Sequence, residues 1–241
     1  MADVASMRTN LRRVGAALLD WFLPQTCLGC SVTVHSDEGF CDGCREQLQK
    51  RRPDKGWGDY LTAPYQYEGP LKTAIHRLKF EERSEYAGRL VACCFSEMQT
   101  DSLRDVTLLP VPIHPSRLVE RGYNQAGLLA QALGRRWALP VRYDVLLRRH
   151  ALLHQVGLGR EERKRNVAGA FYVKPGKCYD FSAVLVDDVV TTGATTQSCA
   201  EALTQAGIRV TGVVALALAD KDVAPPTKPL RPIAQVLGLE P

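Results

Sequence analysis

Twelve consecutive residues carry the densest chemistry in this 241-residue chain: Val184-Leu185-Val186-Asp187-Asp188-Val189-Val190-Thr191-Thr192-Gly193-Ala194-Thr195. An apolar run, Ala183–Val186, reads as a buried strand; Ala194–Gln205 reads as a helix, with Gly207 as its stop. Asp187 and Asp188 then stand directly beyond the strand, where they can accept hydrogen bonds from sugar hydroxyls or metal-bound water. The three threonine hydroxyls, the flexible Gly193 and the free N–H groups of a helix start make a site for a phosphate. A ligand with phosphate at one end, and sugar hydroxyls or Mg²⁺ beside it, fits this order of groups. For a lone Asp-Thr pair the plainer reading is a helix cap and a filled turn. The full string meets the strand–turn–helix context that the phosphate reading requires.

A second constellation lies near the N-terminus. Cys27-Leu28-Gly29-Cys30 and Cys41-Asp42-Gly43-Cys44 are two C-x2-C pairs ten residues apart. Each pair suits a tight turn that aims two thiolates at one ion, and two turns complete a closed tetrahedral site. The spacing predicts one structural Zn²⁺ with no open coordination position. Disulfides are the alternative, disfavoured in a reducing compartment. Cys93, Cys94, Cys178 and Cys199 lack such spacing and are expected to be small buried apolar residues.

These groups need a scaffold. The chain is 45% hydrophobic and 24% charged, which suits one sizeable core with a small appendage and argues against disorder. The formal net charge of +5 is compatible with phosphate-bearing partners. Three segments are expected: residues 1–60 with a short amphipathic helix (Leu11, Val14, Leu18, Phe22), the four cysteines and a basic stretch; 61–220 with alternating strands and helices; and a Pro-rich tail, 221–241. Within the middle segment, strands are expected at Leu61–Tyr67, Val106–Val111, Val145–Leu147, Gly169–Val173 and Val210–Leu218. Helices are expected at Leu71–Leu78, Tyr86–Met98 and Gln125–Trp137. Such alternation implies an α/β fold, a mostly parallel sheet flanked by helices, with ligands at the carboxyl ends of the strands. No apolar run reaches the ~18–20 residues of a spanning helix, so the protein is expected to be cytoplasmic.

The acidic string resembles the phosphoribosyl-diphosphate loop of type I phosphoribosyltransferases, in which the acidic pair holds ribose hydroxyls and the Thr/Gly loop holds the 5-phosphate. Pro110–Ala126, Ile75–Phe80 and Arg160–Phe171 are similar to the competence protein F (GntX-like) branch of that superfamily. With the cysteines, the resemblance covers nearly the whole chain. It implies a type I phosphoribosyltransferase fold with a small four-cysteine zinc module. It also implies binding of phosphoribosyl diphosphate with Mg²⁺, and a role in DNA uptake and natural transformation beside other DNA-uptake proteins. By this resemblance Asp187, Asp188 and Arg121 are the catalytic candidates. Val189 to Thr195, with Arg117, Tyr123, Lys79, Arg163 and Asn166, are the substrate-binding candidates.

Charge chemistry supports the basic members of that set. Breaking the bond between ribose C1 and diphosphate leaves positive charge on the sugar and negative charge on the leaving group, so cationic groups are needed there. Arg117, Arg121 and Tyr123 follow the strand ending at Val111, where the wider family keeps its diphosphate loop; a solvated basic loop is the alternative. Arg148–Arg165 is a long basic connection of the kind that closes over substrates, with Arg149, Arg160, Arg163, Arg165 and Asn166 as phosphate contacts. Leu152-Leu153-His154-Gln155 departs from the branch pattern, which has a Thr and a Pro before the Gln. Arg45, Lys50, Arg51, Arg52 and Lys55, beside Trp57 and Tyr60, could track single-stranded DNA and stack its bases. Three functions follow: Mg²⁺-dependent phosphoribosyl transfer, a non-catalytic phosphoribosyl-diphosphate sensor that grips single-stranded DNA, or salvage of a nucleobase. No aromatic after Val210–Leu218 offers a base-stacking surface. Acceptor and oligomeric state are not readable from the sequence.

Overall fold

The computed structural model describes residues 25–34, 39–51, 60–98, 106–149, 169–176 and 179–219. In chain order, β1 (Gln25–Thr26), β2 (Thr33–Val34) and α1 (Asp42–Glu46) form the cysteine module. β3 (Leu61–Thr62), β4 (Tyr65–Gln66), α2 (Gly69–Phe80) and α3 (Tyr86–Cys94) follow. Then come β5 (Val106–Pro110), α4 (Pro115–Arg121), α5 (Gln125–Trp137), β6 (Leu146–Arg148) and β7 (Phe171–Val173). The last described elements are β8 (Ser182–Val190), α6 (Ala194–Gln205) and β9 (Arg209–Leu218).

β5, β8 and β9 are nearly continuous apolar runs, the pattern of strands covered on both faces. They pair in parallel in the order β9-β8-β5, and β3 and β4 extend the sheet along the outer edge of β9, also parallel. Side chains alternate between the two faces as a strand requires. Val184, Val186, Val214 and Leu216 pack with Leu71, Ile75, Leu78, Leu90, Leu129 and Leu133 from α2, α3 and α5. Ala183, Leu185, Val213 and Ala215 pack with Cys199 and Leu203 of α6 and with Leu146 and Phe171 of the antiparallel β6–β7 pair. The α/β architecture expected from the sequence is therefore present, with helices on both faces of a parallel sheet.

Three expectations change. The strand carrying the acidic pair does not stop at Val186. It runs to Val190, paired to β9 through Asp187↔Ala215 and Val190↔Leu218. The segment holding Arg117 and Arg121 is a short helix, α4, rather than a loop: Pro115 opens it and Gly122, at φ 76°, closes it in the left-handed conformation. Cys94 and Cys199 are buried as expected, but Cys93 is only partly so. The stretch expected to form an N-terminal helix, Cys178 and the tail after Ala219 lie outside the described residues.

The cysteine module is built into the main core. Cys27, Leu28, Phe40 and Cys44 share one apolar cluster with Leu71, Ala74 and Ile75 of α2. Arg77 Nη1 donates to Leu28 O at 3.2 Å, and Arg89 Nη2 donates to Thr26 O at 2.8 Å. A Cβ on Gly39 would collide with Cys93 Sγ, so only glycine permits this approach.

Candidate ligand cavity and metal centre

At the carboxyl edge of β5 and β8 lies a cavity of about 360 Å³. The sequence-derived candidates Lys79, Arg117, Arg121, Asp187, Asp188 and Thr195 all line it. They arrive from α2, α4, β8 and α6, which is how a parallel sheet gathers chemistry at one edge.

The acidic wall comes from the second half of β8. Asp188 is 8% exposed and meets Lys79 Nζ at 2.8 Å through Oδ1. Asp187 Oδ1 accepts from the backbone N–H of Asp188 at 2.8 Å. Burial raises the pKa of Asp187, and the neighbouring Asp188 charge adds to this; the Asp188 N–H and Lys79 oppose them, and the group is pushed up to about 7. Next to the pair, Gly193 (φ 75°) turns the chain into α6, whose start has no side-chain cap and no acidic residue in its first turn. Its free N–H groups and dipole favour an anion. Thr191 and Thr192 are exposed at this turn, Thr195 lines the cavity, and Thr192 Oγ1 accepts weakly from Ala194 N at 3.4 Å. The side chains of Val189 and Val190 pack into the two core clusters instead.

The basic wall is held differently. The Arg121 guanidinium lies 4.5 Å from the centre of the Phe80 ring, and its Nε is buried without an acceptor. Tyr123 does not line the cavity: its hydroxyl donates to Leu78 O at 2.7 Å, which ties α4 to the end of α2. Asn124 caps α5 through Oδ1 to Ala126 N at 3.1 Å, and its Nδ2 donates to Val111 O at 3.0 Å. These bonds fix the turn that presents Arg117 and Arg121. Arg163 and Asn166 lie outside the described residues, as do Arg160 and Arg165. Arg149 is exposed, its guanidinium 5.4 Å from the Tyr172 ring centre.

Sequence reasoning missed Phe80, Gln125 and Arg148, which also line the cavity. Gln125 is 3% exposed and its Nε2 has no acceptor. Arg148 is half-buried, its guanidinium 5.2 Å from the Phe171 ring centre. Burial lowers its pKa, and the Arg117 charge adds to that. Of the proposed DNA contacts, Arg51 Nη1 donates to Leu61 O at 2.6 Å and so serves the fold; Tyr60 packs against the second core cluster. Arg52, Lys55 and Trp57 lie outside the described residues.

The four cysteine sulfurs of Cys27, Cys30, Cys41 and Cys44 lie within 4.8 Å of one another. The Cys30–Cys41 separation is 3.6 Å. A tetrahedron with Zn–S bonds of ~2.3 Å has edges of about 3.8 Å, so the spacing fits zinc. Cys41 N donates to Cys27 Sγ at 3.4 Å. Burial works against a Cys27 thiolate, but the N–H groups of Cys30, Cys41 and Gly29 outweigh it and lower the thiol to about 6. Burial and the three neighbouring thiols push Cys44 up. Four sulfurs at this spacing suit a structural Zn²⁺, for which Cys27, Cys30, Cys41 and Cys44 would be the four ligands.

Comparison with known proteins agrees. Residues 18–54 match the double zinc ribbon domain, here with a single cysteine quartet. The chain is 28% identical over 222 residues to competence protein F of Haemophilus influenzae, covering 80% of this chain and 96% of that one. It is 25% identical over 185 residues to competence protein ComFC of Streptococcus pneumoniae, covering 77% of each. Among solved structures, the allosteric regulatory enzyme of purine biosynthesis aligns at TM-score 0.35 and 18% identity, covering 56% of this chain and 25% of that one, too distant to carry an argument. The DNA utilization protein YhgH of Escherichia coli is 34% identical over 218 residues, covering 82% of this chain and 90% of that protein. On that identity and coverage, the chain belongs to the family of competence protein F and the DNA utilization proteins.

Proposed function

We propose that the cavity binds phosphoribosyl diphosphate with Mg²⁺, and that the protein transfers the phosphoribosyl group in the handling of DNA taken up by the cell. One observation carries the reading: an acidic pair beside an uncapped helix start faces arginines that have no carboxylate partner among the described residues. Asp187 and Asp188 accept from the ribose hydroxyls, and the turn from Thr191 to Thr195 takes the 5-phosphate. Arg117 and Arg121 hold the diphosphate. Asp187 and Asp188 are the residues that would hold Mg²⁺, a hard cation suited to oxygen ligands, and it would supply positive charge toward the leaving group.

In the reaction, the bond between C1 and the diphosphate oxygen breaks and its electron pair leaves with diphosphate. An acceptor nucleophile forms the new bond to C1 and releases its proton to solvent or to a basic side chain. Arg121 acts most strongly as that charge develops. The names of the relatives support a role with incoming DNA, and the basic stretch at 50–55 offers a candidate contact with single strands.

Calorimetry with phosphoribosyl diphosphate and Mg²⁺ tests the site. The Asp187→Asn, Asp188→Asn double variant should lose most binding, since each charged hydrogen bond is worth ~1.5–3 kcal/mol. Equal binding by wild type and double variant would falsify the assignment. Arg121→Ala separates transferase from sensor: a transferase keeps most of its binding but releases diphosphate more slowly, whereas a sensor loses affinity and releases none even as wild type.

A further inference from the structure

The four cysteines of the metal centre are not equivalent. Cys27 and Cys44 are buried in the main core beside Leu71, Ala74 and Ile75. Cys41 is half-buried, and Cys30 is exposed on the turn between β1 and β2. Their polar surroundings differ in the same order. The Cys27 sulfur accepts from the backbone N–H groups of Cys30, Cys41 and Gly29, and the Cys41 sulfur accepts from that of Cys44. The Cys30 sulfur has no backbone N–H donor within hydrogen-bond distance among the described residues; its neighbours are the other three sulfurs, with Cys41 Sγ at 3.6 Å. An N–H donor stabilises a thiolate and lowers its nucleophilicity. Cys30 is therefore the most accessible and the least screened of the four, and Cys41 stands beside it.

We propose that the Cys30–Cys41 edge of the metal centre is an oxidation site, where a hydroperoxide joins the two thiolates as a disulfide and so removes two of the four zinc ligands. The Cys30 thiolate attacks one peroxide oxygen; the O–O bond breaks, and its electron pair leaves on the second oxygen, which takes a proton from solvent. The Cys41 thiolate then attacks the sulfenic sulfur of Cys30. The S–S bond forms, the S–O bond breaks, and hydroxide takes a second proton and leaves as water. The sulfurs lose two electrons and one hydroperoxide gains them. Geometry favours this pair. The two cysteines belong to different C-x2-C turns, yet their sulfurs start within about 1.6 Å of the ~2.05 Å bond length. Cys27 and Cys44 are held in the core, where Gly29 already approaches so closely that a Cβ on it would stand 3.0 Å from Cys44 Sγ. Two core cysteines alone fill half of a tetrahedral site and release the ion. The inference uses the zinc reading and is independent of the phosphoribosyl-diphosphate one.

The test uses the full chain as purified, with hydrogen peroxide as the oxidant. A chromophoric chelator follows zinc release. Alkylation of the remaining thiols, followed by peptide mass mapping, identifies the disulfide. Zinc release should keep pace with one disulfide, Cys30 to Cys41, while Cys27 and Cys44 are recovered alkylated. Dithiothreitol with added zinc should reverse both changes. Cys30→His keeps a fourth zinc ligand without an oxidisable sulfur and should slow the release at least tenfold. Cys93→Ser, at a partly buried thiol outside the quartet, should match wild type. If Cys30→His does not hold zinc, the wild-type map decides by itself. A map dominated by any other pairing overturns the proposal, and so do thiols and zinc that survive peroxide unchanged. Protein purified without zinc overturns the metal reading instead, and the same map still decides whether Cys30 and Cys41 are the pair that oxidises.

Discussion

Lys79→Met probes the balance of charge in the free cavity. The Lys79–Asp188 contact is 2.8 Å, with side-chain exposures of 20% and 11%. At that distance and an effective dielectric of about 20 the gross attraction is about 6 kcal/mol. Desolvation of both ions offsets most of it. Removing one partner of a fully buried pair costs ~3–5 kcal/mol, and this pair borders an open cavity, so a loss of about 2 kcal/mol is expected near pH 8. Methionine retains the stem beside Tyr67, which limits the change to charge. The pH dependence is the sharper test. Lys79 opposes the upward shift of Asp187, so its removal raises the pKa of Asp187 further. A carboxyl whose folded pKa lies above its unfolded value binds more protons when folded. Stability therefore falls as pH rises from the unfolded pKa, ~4, through the folded one. Urea unfolding should show the Lys79→Met deficit larger at pH 8 than at pH 5, where Asp187 is protonated and no longer needs a counter-ion. An equal deficit at both values, or a larger one at pH 5, would refute the role of Lys79 in countering the Asp187 charge.

Other outcomes follow from the same geometry. Affinity for phosphoribosyl diphosphate should rise with pH up to about 7 and then level, because Asp187 must be ionised to accept from ribose; Asp187→Asn should flatten that slope in titrations from pH 6 to 8. Purified protein should carry one zinc per chain by elemental analysis, and Cys44→Ser should lower the melting temperature of the whole domain, because Cys44 lies in the main core. Gly134→Ala should destabilise the fold by about 1–3 kcal/mol in urea, since a Cβ there meets Leu139 O at 2.9 Å and crowds Val141. Single-stranded DNA should bind more weakly at high salt, and neutralising Arg52 and Lys55 should flatten the dependence by about one unit per lost phosphate contact; an unchanged slope rules that stretch out.

Much of the site was legible because it is local. The acidic string announces itself by apolar strand, carboxylates and glycine turn in succession, and α5 and α6 span the residues that the sequence pattern indicates. What was not legible depends on distant partners. Asp187 and Asp188 interrupt the apolar run, so the strand reads as ended; it continues because β9 is ten residues long and offers pairing as far as Leu218. α4 buries none of its residues and so has no apolar periodicity to read. Tyr123 looks like a ligand contact in a basic motif, yet its hydroxyl bonds to Leu78 O, 45 residues away in sequence. Gln125 and Arg148 gain meaning only from burial and missing partners, which no spacing encodes.

The metal centre and the cavity meet on one element. At the start of α2, a Cβ on Gly29 would stand 2.8 Å from Pro70 Cβ and 3.0 Å from Cys44 Sγ, so the zinc turn rests directly on the helix. Leu71, Ala74, Ile75 and Leu78 then fill the core along its length, and Lys79 and Phe80 close it at the cavity, where one binds Asp188 and the other carries Arg121. From Pro70 to Lys79 is nine residues, about 14 Å of helix. A short rod gripped at both ends by packing transmits displacement rather than absorbing it, because the interior has little slack. One helix thus packs against the cysteine turn at Pro70 and, at its other end, supplies the counter-ion of Asp188 and the ring beneath Arg121.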